Sequence, residues 1–105
     1  MARKKERRIT VPVEPFHVWN QVHVVLGALP GAQITGANQG VIWASVRPGL
    51  RTWGEQITVT LMPVPGGTEV HLLSENTFPL QLIDLGKNKE NIAHLVHGLS
   101  LPGTH

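Results

Sequence analysis

Cysteine is absent from the 105 residues. That absence removes disulfides, thiol nucleophiles and cysteine-ligated zinc from consideration. It also fits a reducing compartment, so the expected location is the cytoplasm. Long apolar runs are missing too. The longest, near Val24 to Leu29, falls far short of the roughly 20 residues that cross a bilayer, and no membrane partner is expected. No secretory leader is expected either, because Thr10, Pro12, Glu14 and Pro15 interrupt the stretch where an apolar segment would follow the basic start. No internal repeat or low-complexity linker divides the chain, and its length suits one domain.

Positive charge is scarce everywhere except at the beginning. Residues 1–8 carry Arg3, Lys4, Lys5, Arg7 and Arg8 against Glu6, whereas from Ile9 onward four cations face six acids. The basic balance thus belongs to an arm, read as residues 1–8, basic and disordered, ahead of a single α+β domain over residues 9–105. Such an arm attracts nucleic acid through salt-sensitive contacts. The plainer reading is a solvated terminus.

The rest alternates between two periods. Ile9, Val11 and Val13 read as a strand with one buried face, which Pro12 places at a sheet edge or strand end. Glu14-Pro15 opens a helix whose stripe runs through Phe16, Trp19, Val22, Leu26 and Leu29 to the stop at Pro30-Gly31. Strands are expected over 32–35, 41–47, 53–62 and 68–75, with turns at Gly36–Gly40, Pro48-Gly49 and Pro65-Gly66-Gly67. Ile92, Leu95, Val96 and Leu99 mark a last helix, with Asn88 as its expected N-cap. The order β-α-β-β-β-β-α with short turns predicts a two-layer α+β fold. Both helices pack on one face of an antiparallel sheet and the other face stays open. The expected core is Val11, Trp19, Val22, Leu26, Ile57, Val59, Leu61, Val70, Ile92, Leu95, Val96 and Leu99.

Ser74, the run Asp84-Leu85-Gly86-Lys87-Asn88 and Ile92 are similar to the C-terminal pattern of an uncharacterised family of small bacterial proteins, in which a strand ending in Ser leads to Asp-x-Gly-x-Asn and an amphipathic helix. Trp53-Gly54-Glu55 before a strand, and Val13-Glu14-Pro15 before a helix bearing Trp19, resemble further features of that family. The resemblance implies a curved sheet gripping a helix, akin to small-ligand and lipid-binding folds, and implies no activity.

Few residues argue for chemistry. His94 and His97 share a helix surface but lack the third and fourth ligands zinc takes, and no metal or cofactor is expected. Ser45, Ser74 and Ser100 lack a nucleophile-elbow context. Gly27, Gly31 and Gly36 match no phosphate-binding fingerprint. Ser74, Asp84 and Asn88, with Asn76 nearby, form either a set of backbone caps around Gly86 or a small polar site. On the open sheet face, alternation places Trp43, Ser45, Arg47, Gln56, Thr58, Thr60, His71 and Leu73. An outward Trp there suits an interface.

The leading expectation is therefore a small binding domain, not an enzyme, whose open face around Trp43, Ser45, Arg47, Thr58, Thr60 and His71 supports self-association as a homodimer. The first alternative is a small apolar ligand between the first helix and the sheet, in a cavity lined by Trp19, Val22, Leu26 and Ile57. The second is nucleic acid bound through the arm.

Overall fold

The computed structural model describes residues 4–48, 54–77 and 86–100. Five strands and two helices follow in order: β1 (Lys4–Val11), α1 (Pro15–Ala28), β2 (Ala32–Asn38), β3 (Val41–Val46), β4 (Glu55–Val64), β5 (Gly67–Asn76) and α2 (Lys87–Ser100). The strands form one antiparallel sheet, β1-β5-β4-β3-β2, so the last strand returns to lie between the first and the hairpins. Helix α1 packs against β2, β4, β5 and α2, while α2 packs against β1, β5 and α1. This is the two-layer α+β fold that the element order predicts.

The beginning of the chain departs from expectation. Lys4 to Arg8 are not a disordered arm but the first half of β1, each residue paired with one in β5 from Lys4↔Glu75 to Arg8↔His71. Backbone pairing needs no apolar side chain, and an edge strand is where a protein tolerates exposed charge, because charge there discourages pairing with other chains. Pro12 follows directly after β1, where the ladder ends.

β2 is also longer than its alternation suggests. A register irregularity between Ile34 and Gly36 lets the strand run on to Asn38, so the turn narrows to Gln39-Gly40. Both turn residues have positive φ, 48° and 84°, as two-residue hairpin turns require.

The core lies where the helices cover the sheet. Inward positions alternate through Ile42, Ala44 and Val46 on β3, Ile57, Val59 and Leu61 on β4, and Val70 and Leu72 on β5. Helix α2 adds Ile92, Leu95 and Leu99. Of the expected core, Trp19 and Val96 are only partly buried. The reason for Trp19 is a shifted stripe. Helix α1 buries Val18, Val22, Val25 and Leu26, so Phe16 and Trp19 ride on its flank, and Phe16 is 69 % exposed. The two helices meet closely at Gly98, where a Cβ would come within 2.7 Å of the Val25 Cγ1, so only a bare Cα fits there. Among the described residues no helix is long and apolar enough to cross a membrane.

Candidate functional site

The open sheet face carries the residues that strand alternation assigns to it. Trp43 lies opposite Thr58, and Thr58 opposite Leu73. One row over, Val41, Thr60, His71 and Arg8 line up across four strands. Trp43 is half-buried because its indole spreads over Gly36, with Cε3 3.4 Å from where a Cβ on that glycine would sit. An aromatic ring thus covers a neighbouring glycine in the sheet. Ser45 is exposed opposite Gln56. Arg47 stands just past β3 and lays its aliphatic stem against the Pro30-Gly31 turn. The charges of this face are paired along its β1 side: Arg8 Nη1 lies 3.2 Å from Glu69 Oε1, and His71 Nε2 donates to Glu6 Oε2 at 3.0 Å. That hydrogen bond, joined by the nearby charges of His71, Lys4 and Arg8, holds the Glu6 carboxyl below its ordinary range.

A second constellation is buried beneath α2, at the end of the sheet where β4 begins and β5 finishes. Ser74 Oγ donates to Asn88 Oδ1 at 2.8 Å, and Asn88 Nδ2 donates to Asn76 Oδ1 at 2.9 Å. Asn91 Nδ2 reaches both Ser74 Oγ at 3.1 Å and Glu55 Oε1 at 2.9 Å. Glu55, Ser74, Asn88 and Asn91 are all wholly buried. Asn88 is therefore not the N-cap it was expected to be. It lies within the first turn of α2 and faces the sheet. The structure brings together Ser74 and Asn88 of the expected polar site, while Asp84 lies outside the described residues.

Glu55 and Asn91 complete this network without having been anticipated. Their phase could have revealed them. Glu55 shares the inward alternation of Ile57, Val59 and Leu61, and Asn91 sits one turn ahead of Leu95 on the apolar stripe. Two network atoms have no hydrogen-bond partner, Asn91 Oδ1 and Asn76 Nδ2. Each buried orphan costs about 1–3 kcal/mol, and polar seats of this kind are where internal water is held.

A groove of about 490 Å³ opens at the other end of the sheet, lined by Pro15, Phe16, Trp19, Gln39, Gly40, Leu61 and Pro63. A neighbouring hollow of about 360 Å³ shares Pro15 and Pro63 and continues past Pro12, Val13 and Gly67. The groove exists because the Phe16/Trp19 flank of α1 overhangs the sheet edge instead of entering the core. Its walls are apolar, no ionisable side chain lines it, and Gln39 supplies the one side-chain amide. Of the residues expected to line a cavity under α1, Trp19 reaches this groove, while Val22, Leu26 and Ile57 are sealed within the core. Among the described residues, no three His, Cys, Asp or Glu side chains gather as a metal site would need. His94 is half-buried and His97 exposed on α2.

No family model and no curated protein matches the chain. Solved structures do match it along most of its length. Protein MLL2253 from Mesorhizobium loti superposes with a TM-score of 0.68 at 12% identity, over 92% of this chain and 93% of that one. Protein Ms6760 from Mycobacterium smegmatis gives 0.63 at 12% identity, over 98% and 93%. Ara h 8.0201 gives 0.61 at 11% identity, over 91% and 93%. At such identities the likeness is one of fold: this chain shares the arrangement of an antiparallel sheet covered by helices on one side with all three.

Proposed function

We propose that this protein is a binding domain for a small, uncharged, mainly apolar molecule, held in the groove between the first turn of α1 and the β2–β3 turn. The observation that carries this reading is the groove itself, with Phe16 left 69 % exposed at its rim. Ligand sites are typically concave and mostly apolar, with a few polar groups that fix orientation. Gln39 suits that role, since its amide offers both a donor and an acceptor. The absence of charged lining side chains disfavours anionic ligands such as free fatty acids. Titration with the neutral fluorophore 1-aminoanthracene tests the reading. Saturable binding that Phe16→Glu weakens at least tenfold supports it, and equal binding by wild type and variant refutes it.

A second reading places self-association on the open sheet face, and Trp43 favours it. A half-exposed Trp among small polar side chains is the composition of an interface anchor, and a two-fold homodimer needs only one such surface. Trp43→Ser would then shift a concentration-dependent dimer towards monomer in sedimentation, and a wild type that is monomeric throughout removes the idea. On either reading the cysteine-free chain suits a reducing cytoplasm.

A further inference from the structure

We propose that Gln39 selects the ligand of the apolar groove, which, on the reading that the groove is the binding site, carries an uncharged donor–acceptor pair such as a primary amide or a lactam. Among the described residues, Gln39 is the one non-glycine with a positive φ, at 48°, and Gly40 follows it at 84°. Asn, Asp and Gly suit such a position, because their side chains are short enough to bond the local backbone or are absent altogether. Glutamine has neither advantage. A residue in a disfavoured backbone region persists only where its surroundings hold it there, and such residues gather at ligand clamps.

The surroundings of Gln39 do hold it. The β2–β3 turn is not a free hairpin tip, because the Gly40 carbonyl oxygen accepts a hydrogen bond from the Leu61 N–H at 2.7 Å. A Cβ on Gly40 would lie 3.1 Å from the Leu61 carbonyl oxygen, so the two backbones run close together. Leu61 also lines the groove, beside Gln39, Phe16 and Trp19. The turn is thus pinned to the strand that floors the groove, and Gln39 starts from a fixed place on its rim. Its side chain is exposed and has no hydrogen-bond partner among the described residues. The amide therefore does nothing for the turn that forces its backbone into this conformation.

Amide geometry narrows the ligand. Gln39 Oε1 accepts and Nε2 donates, side by side, and glutamine makes two parallel bonds to a partner with the complementary pair, as it does to the edge of adenine. A primary amide or lactam presents that pair without charge. A carboxylate offers no donor at neutral pH, and no lining side chain is cationic to balance it. A ketone or ether leaves Oε1 without a donor once the ligand covers it. The groove, of about 490 Å³, accepts a naphthalene-sized body beside Phe16 and Trp19.

Displacement of 1-aminoanthracene by 2-naphthamide and by its ketone isostere, 2-acetonaphthone, tests this. Wild type should bind the amide about 3- to 10-fold more tightly than the ketone, the worth of one hydrogen bond. Gln39→Gly should bind both equally, close to the wild-type affinity for the ketone. Gln39→Asn, which suits the positive φ better, should melt a few degrees above wild type. A lower melting temperature for Gln39→Asn would show that glutamine serves the turn, and would overturn the assignment. Equal binding of the two ligands by wild type would overturn it too, as would a preference that survives Gln39→Gly. In those cases weaker binding of both ligands by Phe16→Glu leaves the groove as the binding site. Failure of wild type to bind 1-aminoanthracene or either naphthalene overturns the groove and the role of Gln39 together.

Discussion

The two ends of the sheet have opposite chemistry under the same helical layer. Where β4 begins and β5 finishes, four wholly buried polar residues are tied into a hydrogen-bonded network. Six residues along β4, about 20 Å away at the rise of an extended strand, Leu61 floors an open groove of prolines and aromatics. The polar end is closed and the apolar end is open, the reverse of what partitioning from water would arrange. Buried polar groups cost stability unless fully bonded, and exposed large apolar groups gain nothing from folding. The contrast separates the residues that hold the fold from those left over for recognition.

Substitutions sharpen that contrast, beginning with the core that both ends share. Leu95→Ala empties a wholly buried position between α2 and the sheet and should cost about 2–5 kcal/mol in a denaturant melt. A near-neutral result would mean that α2 is not docked as described. Asn91→Ala removes the bonds to Glu55 and Ser74 while also deleting one orphaned oxygen. The carboxylate bond dominates, and a loss of about 1–3 kcal/mol is expected. A more stable variant would show instead that the network is retained at a cost, as functional sites are.

Phe16→Ser should behave in the opposite manner. With the ring 69 % exposed, stability should stay within about 0.5 kcal/mol of wild type, while binding of a neutral apolar probe falls. A large loss of stability would move Phe16 from recognition to structure and erase the difference between the two ends.

The smallest effect belongs to the open face. The Glu6 carboxyl is held low in the folded state, first by the hydrogen bond from His71. Its contribution is therefore present at neutral pH and is lost as pH falls through the folded carboxyl's range. Glu6→Gln should slightly flatten the acid limb of a thermal-melt profile and leave neutral-pH stability nearly unchanged, as for a solvated pair. A marked fall in stability at neutral pH would show that the pair holds β1 in place.

Much of this was legible from residue spacing. Period-two alternation in Ile42 to Val46 and Ile57 to Leu61 gave the right inward face, and with it the outward placing of Trp43. The α1 stripe was less decisive, because Val18 and Val25 flank Val22 and Leu26 on one side of the helix and Phe16 and Trp19 on the other, and only packing against the sheet and α2 selects which flank is buried. Charge misled at β1, where Lys and Arg suggest solvation although the backbone pairs in full. Glu55 and Asn91 were obscured for the converse reason: their inward phase was readable, but their polarity argued against burial until partners from distant strands met them. The groove depends on how α1 overhangs the sheet, a tertiary relation that no local pattern encodes.

The most direct measurement is backbone amide NMR of the whole protein titrated with 1-aminoanthracene. Binding in the apolar groove predicts saturable shifts concentrated at Phe16, Trp19, Gln39, Gly40 and Leu61, with Ser74, Asn88 and Asn91 unmoved. Shifts concentrated instead around Trp43, or confined to the buried network, would contradict the assignment.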